Sequence, residues 1–226
     1  MPPLTVGFDL DMTLVDSRPG IAAAYRALTA RTGVPVDADA AVSRLGPPLR
    51  VEIARWFPPE RVESAVAAYR ELYPAYAITP TLPMPGAVAA IEAVHSHGGR
   101  VLVVTSKMGR LARLHLDHLG LAVDELAGDL FAEEKATALR AHGANLYVGD
   151  HTADMVAAQA ADIPGVAVAT GPCSADELRS AGADLVLADL TGFPAALAAM
   201  IRLALGQYTS QVKQGFSGAD GSSEVV

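Results

Sequence analysis

Residues 8–17 read Phe-Asp-Leu-Asp-Met-Thr-Leu-Val-Asp-Ser. An apolar run at 4–8 leads into two carboxylates at alternate positions, Asp9 and Asp11, with the hydroxyl of Thr13 two residues further on. If 4–8 is a strand, Asp9 stands at its carboxyl end, where ligands bind in open α/β sheets. The pattern alone is ambiguous. An Asp-x-Asp can open a calcium-binding loop, but counting from Asp9 the sixth and twelfth positions are Leu14 and Gly20 in place of the Gly and Glu such loops need. Asp and Thr after a strand can also cap a helix or close a turn. Partners elsewhere in the chain must decide.

From Arg18 to about Leu82 there is no convincing strand. The segment reads as helical stretches at 20–31, 47–57 and 59–76, broken by Gly33, Pro35, Gly46, Pro47, Pro58 and Pro59. Beyond Pro83 the pattern alternates: helix 85–97, strand 100–105, helix 110–119, a weak strand at 123–127, helix 133–141, strand 145–148, helix 153–161, strand 165–169, helix 174–180, strand 184–187 and helix 192–205. Such alternation means βαβ units and a parallel sheet, into which the helical stretch is inserted after the first strand. The remainder, 207–226, is rich in Gly, Ser and Gln, lacks periodicity and is expected to be a mobile tail.

Composition sets outer limits. With 226 residues, 51% of them apolar and 19% charged, the chain suits one domain with an insertion or two small domains. A net charge of −8 and the lack of a basic, aromatic-interleaved stretch argue against DNA or RNA as partners. No secretory signal is visible at the start, and the longest late apolar stretch, 193–205, is too short to span a bilayer and carries Arg202, so no membrane partner and a cytoplasmic location are expected. A single cysteine, Cys173, excludes an internal disulfide and a Cys-based zinc cluster.

In a parallel sheet all strands end on one edge, so the residues just after each strand converge. The strand at 100–104 ends in Thr105, Ser106 and Lys107; the one ending at Val148 runs into Gly149, Asp150, His151 and, one helical turn on, Asp154; Lys135 begins the helix before it. The edge thus gathers Asp9, Asp11, Asp150 and Asp154, flanked by Lys107, Lys135 and Thr105. Carboxylates crowded in this way repel, and a hard divalent cation with oxygen ligands, Mg2+, resolves the conflict while the lysines and hydroxyls hold phosphoryl oxygens. Singly, each residue has a plainer explanation: Asp154 as a first-turn helix acid, Lys135 as a solvated charge, Thr105 as an ordinary strand residue. As a set at one edge they do not.

These residues, in this order, resemble the haloacid dehalogenase superfamily, in particular phosphoglycolate-phosphatase-like members with a helical cap after the first strand. The family's Asp-x-Asp-x-Thr is matched at 9–13, its strand-ending Thr or Ser at Thr105, its Lys at Lys135 and its Gly-Asp-x-x-x-Asp at Gly149, Asp150 and Asp154. The resemblance implies a three-layer Rossmann-like α/β core at 1–16 and 84–206 with the cap at 17–83. It also implies that Asp9 attacks phosphorus and becomes an aspartyl phosphate, while Asp11 protonates the leaving oxygen and then activates water. Asp9, the carbonyl of Asp11 and Asp150 would bind Mg2+, with Asp154 in support, and Thr105 and Lys135 would hold phosphoryl oxygens. Ala136 stands where the family usually has proline after the Lys, which leaves Lys107 as the alternative to Lys135.

The 18–83 stretch holds eight arginines against six acids, which suits a small anionic phosphate ester. Arg44 stands out because Arg44-Leu45-Gly46-Pro47-Pro48-Leu49 resembles the family's cap loop that reaches substrate; Ser106 and Lys107 complete the expected substrate contacts. The cap has no lysine, unlike phosphonate-cleaving relatives, and Asp11 distinguishes the chain from dehalogenases proper. P-loop, His-Glu-x-x-His and Gly-x-Ser-x-Gly motifs are missing. His95, His97, His115 and His118 read as surface or packed residues, and His151 beside Asp150 stays unassigned. The expected function is Mg2+-dependent phosphate monoester hydrolysis; a sugar-phosphate mutase and a catalytically silent partner-binding protein are the alternatives. Nothing in the sequence specifies an oligomeric state.

Overall fold

The apolar run at 5–8 is buried at every position, as a strand with neighbours on both sides and helices on both faces must be. The structure, a computed structural model, describes residues 3–204; the expected tail lies outside them. In chain order the elements are β1 (Thr5–Phe8), β2 (Val15–Asp16), α1 (Arg18–Thr32), α2 (Ala38–Val42), α3 (Leu49–Ile53), α4 (Pro59–Tyr76), β3 (Leu82–Pro83), α5 (Ala87–Ser96), β4 (Arg100–Val104) and α6 (Gly109–Leu119). There follow β5 (Glu125–Ala127), α7 (Glu133–Ala141), β6 (Leu146–Gly149), α8 (Thr152–Ala160), β7 (Gly165–Val168), α9 (Ala175–Ser180) and β8 (Leu185–Leu187). A 3-10 turn at Leu190–Gly192 leads into α10 at 193–204. No helix among the described residues is long and apolar enough to cross a membrane.

Six strands form one sheet in the order β5-β4-β1-β6-β7-β8, every pairing parallel. Strand alternation sorts the core into two layers of packing. Val6, Phe8, Val101, Val103, Val148 and Val166 pack with α5, α6 and α10 through Ile91, Leu116 and Phe193. The intervening Leu102, Val104 and Tyr147 pack with α7 and α8 through Leu139, Ala157 and Ala158. Gly7 belongs to the second face, where a Cβ would come within 2.7 Å of the Leu139 side chain and 2.9 Å of Tyr147. This is a three-layer, Rossmann-like α/β core. The chain leaves β1 towards β4 and β5, then returns to β6 on the other side of β1, so the carboxyl ends of β4, β1 and β6 surround the point where strand order reverses.

Helices α1–α4 lie between β2 and β3, which pair antiparallel through Val15↔Pro83 and Asp16↔Leu82. Entry to and exit from the helical segment are therefore adjacent. The segment has its own hydrophobic cluster, chiefly Ile21, Tyr25 and Leu28 of α1 against Val62, Val66, Tyr69 and Tyr73 of α4, with Ile53 of α3. Gly20 permits the closest approach: a Cβ there would sit 2.0 Å from the Ala77 carbonyl oxygen.

Three local features differ from the sequence expectation. The β2/β3 ribbon is new, α2 is an additional short helix whose N-terminus Asp37 caps by accepting from the Ala40 N–H, and the helix expected at 47–57 is reduced to α3 followed by turns.

Candidate active site

Asp9 extends the β1–β6 pairing by one residue, its N–H donating to the Val148 carbonyl at 2.8 Å. The chain then turns sharply, Met12 in the left-handed region at φ 61° and both Leu14 N–H and Val15 N–H on the Leu10 carbonyl. Two carboxylates two residues apart thereby reach the same sheet edge with different surroundings.

Asp9 joins Asp150, at the end of β6, and Asp154, in the first turn of α8; each offers an oxygen within 4.8 Å of the others, and all three side chains are buried. Lys135 Nζ reaches in from α7 to Asp9 Oδ1 at 2.8 Å and Asp154 Oδ1 at 2.7 Å. It also donates to the Tyr147 hydroxyl at 3.0 Å, which in turn donates to the Val104 carbonyl at 2.9 Å. The second Asp154 oxygen accepts from the His151 N–H at 3.1 Å, so both of its oxygens are engaged. Asp150 accepts from the Thr13 hydroxyl at 2.8 Å. Two glycines make this crowding possible: a Cβ on Gly149 would lie 2.4 Å from the Asp154 carboxylate, and one on Gly171 would lie 1.8 Å from Asp150 Oδ2.

Asp11 stands apart from that cluster. Its Oδ1 accepts from Lys107 Nζ at 2.6 Å and from the Ser17 hydroxyl. Ser17 occupies the N-cap position of α1 yet makes no side-chain cap, because its hydroxyl is spent on Asp11.

The two environments push the carboxyls in opposite directions. Burial, with the charges of Asp154 and Asp11, raises Asp9 to about 7 in spite of Lys135. Burial, with Asp9 and Asp154 beside it, drives Asp150 well above the usual carboxylate range. For Asp11, burial also opposes charge, but the Lys107 ammonium and the Lys107 and Ser17 hydrogen bonds outweigh it and lower the carboxyl. Asp9 and Asp150 together are short of positive charge, and their donor set, carboxylate oxygens alone, fits a hard divalent cation. Asp154 is better suited to orienting Lys135 than to direct ligation.

A cavity of about 240 Å3 opens over this edge. Of the residues selected from sequence, Asp9, Asp11, Asp150, Asp154, Lys107, Lys135, Ser106, Arg44 and His151 line it. Thr105 does not; it is buried at the end of β4, its Oγ1 accepting from the Lys107 N–H at 3.2 Å. Arg44 is committed to Glu52, at 2.6 and 3.1 Å, and lies 6.0 Å from the Trp56 ring centroid. His151 caps α8 with Nδ1 and packs against the loop between α2 and α3, where a Cβ on Gly46 would lie 2.6 Å from its ring. The Gly46 carbonyl accepts from the Ser106 hydroxyl at 3.2 Å. The helical segment adds residues that sequence reasoning passed over: Tyr25, Tyr69, Arg70 and Tyr73 line the cavity too. Arg70 has no ion-pair partner among the described residues, whereas Arg44 and Arg50 each pair with a glutamate.

The family model for haloacid dehalogenase-like hydrolases matches residues 6–159, a span that contains all of these motif residues. The chain belongs to the haloacid dehalogenase-like hydrolase family. A second model, for HAD-like hydrolases, matches residues 128–193. Among relatives, this hydrolase is 27% identical over 213 residues to a phosphoglycolate phosphatase of Caulobacter vibrioides, covering 85% of this chain and 90% of that protein. It is 32% identical over 224 residues to a phosphoglycolate phosphatase of Rhodospirillum rubrum, covering 85% and 92%. Among solved structures, a haloacid dehalogenase-like hydrolase from Streptococcus pneumoniae superposes with a TM-score of 0.75 at 25% identity, over 88% of this chain and 98% of that one.

Proposed function

We propose that the protein is a Mg2+-dependent phosphatase that hydrolyses a small phosphate monoester through an aspartyl phosphate on Asp9. The observation that carries this reading is the separation of the two carboxylates of one motif. Asp9 belongs to a buried acidic cluster with Lys135, while Asp11 is held apart by Lys107 and Ser17.

In this reading Asp9 attacks phosphorus as the ester oxygen departs, and Asp11 gives that oxygen its proton. Asp11 then takes a proton from the water that attacks the aspartyl phosphate, releasing phosphate and restoring Asp9. Lys107, 2.6 Å from Asp11, favours the ionised form in which Asp11 accepts and so limits the acid form that the first step needs. Lys135 offsets the charge of Asp9 and Asp154 and offers donors to phosphoryl oxygens. Asp9, Asp150 and the Asp11 carbonyl would hold Mg2+, which when bound supplies the positive charge that keeps Asp9 ionised and offsets phosphoryl charge. Thr105 supports the site by fixing the Lys107 backbone, and Ser106 ties it to the cap loop.

The 17–83 segment serves as the cap over this edge and bears the substrate contacts. The small cavity and Arg70, which has no ion-pair partner among the described residues, favour a short ester with a second anionic group, in keeping with relatives named phosphoglycolate phosphatases. The test is p-nitrophenyl phosphate hydrolysis with Mg2+, with EDTA, and by Asp9→Asn. Turnover is expected only for the wild type with metal; EDTA-resistant turnover, or a fully active Asp9→Asn protein, would overturn the reading.

A further inference from the structure

The cation that holds Asp11 is itself held from the helical segment. Lys107 Nζ donates to Tyr73 Oη of α4 at 2.7 Å and lies 5.1 Å from that ring's centroid. An ammonium has only donors, so the Tyr73 oxygen accepts and its O–H remains free to donate. Its acceptor is Nε2 of His115, at 2.9 Å, on α6 of the core.

His115 is fully buried, and its Nδ1 has no partner among the described residues. With Nε2 accepting, Nδ1 carries the proton, and the chain has one direction: Lys107 N–H to Tyr73 oxygen, Tyr73 O–H to His115 Nε2. The surroundings are the apolar interface formed by Tyr69, Leu111 and their neighbours. A buried donor left unpartnered destabilises, and apolar side chains at 73 and 115 would fill this interface without that penalty. Packing alone therefore does not account for the chain Asp11–Lys107–Tyr73–His115.

We propose that Tyr73 is a positioning residue for Asp11: from the helical segment its hydroxyl fixes the Lys107 ammonium against that carboxylate, and His115 orients the hydroxyl. The proposal rests on Asp11 being the acid/base of the phosphatase reaction. It ties the geometry of a core carboxylate to the docking of α4, since withdrawing α4 removes both the oxygen and the ring face from Lys107.

The test compares wild type, Tyr73→Phe, Lys107→Met and the double variant in p-nitrophenyl phosphate kinetics with Mg2+, alongside melting temperatures. Tyr73→Phe keeps the ring and drops the hydroxyl. It is expected to lower kcat about tenfold while KM stays within about twofold and the fold melts normally, as befits a misplaced acid/base. In the Lys107→Met background the same change should bring no further loss, because the hydroxyl acts only through that ammonium. His115→Gln, which keeps an acceptor, should retain more activity than His115→Leu. An unchanged kcat in Tyr73→Phe, or an equal loss with and without Lys107, overturns the proposal. A wild type that hydrolyses nothing overturns the phosphatase reading instead, and the two failures are distinguishable because the first requires an active wild type.

Discussion

Replacing Asp9 with Asn removes the proposed nucleophile and, without metal, should also stabilise the fold. Burial and neighbouring carboxylates raise Asp9 from 3.8 to about 7. At about 1.4 kcal/mol for each pH unit between those values, keeping Asp9 ionised in the fold at about pH 8 costs about 4 kcal/mol. The sign follows from proton binding. A carboxyl whose folded value lies above its unfolded one binds its proton more tightly in the fold, so its contribution is full below about 3.8 and is lost as pH rises through about 7. Asn keeps the size without the charge but gives up the charge-assisted bond from Lys135, so a gain of about 2–4 kcal/mol at about pH 8 is expected, shrinking below about 1 kcal/mol near pH 4. For a chain of this length the larger gain raises the melting temperature by roughly 8–16 °C. Thermal melts in EDTA across this range read the effect directly. Mg2+ added at about pH 8 should stabilise the wild type more than Asp9→Asn and narrow the gap. An Asp9→Asn protein that melts no higher than wild type in EDTA at about pH 8, or a gap that does not grow with pH, would refute the account of the acidic cluster.

Other consequences follow from single contacts. Tyr147→Phe strips Lys135 of one acceptor and leaves the Val104 carbonyl without its donor, so denaturant melts should show a loss of about 1–3 kcal/mol. Gly171→Ala would drive a methyl into Asp150; Mg2+ affinity, read from the metal dependence of turnover, should fall by about tenfold or more, whereas an unchanged dependence would show that Asp150 is not a ligand. Arg70→Gln should raise KM about tenfold for a phosphate ester that also carries a carboxylate and leave KM for p-nitrophenyl phosphate unchanged, and equal effects on both would remove Arg70 from substrate binding.

Much of this site is legible in the sequence because a parallel sheet converts distant residues into neighbours by a simple rule. Asp9, Lys107 and Asp150 each follow a short β-branched or apolar run, and those runs are β1, β4 and β6, adjacent at the strand-order reversal. The sequence favours Lys135 as the motif lysine, with Lys107 as the alternative, and the fold gives each its own carboxylate, Lys135 on Asp9 and Lys107 on Asp11. What stayed hidden depends on contacts that no local pattern encodes. Tyr73 and Tyr147 look like core aromatics at helix and strand spacing, and their hydroxyls gain meaning only from lysines far away in the chain. The β2/β3 ribbon is two residues on each side and exists through long-range pairing. Ser17 did carry a signal, an N-cap residue type directly before Arg-Pro-Gly, but its hydroxyl caps a carboxylate instead of a helix. Asp37 is likewise an N-cap residue type directly before α2, a helix too short for periodicity to reveal.

Trapping the covalent intermediate tests the central claim most directly. The wild type with Mg2+ is mixed with a labelled phosphate ester, quenched in acid during turnover, and its peptides are mapped for bound phosphate. The account predicts an acid-stable, alkali-labile label on the peptide containing Asp9, absent from Asp9→Asn. Rapid hydrolysis with no label on Asp9, or a label on another residue that persists in Asp9→Asn, would contradict it.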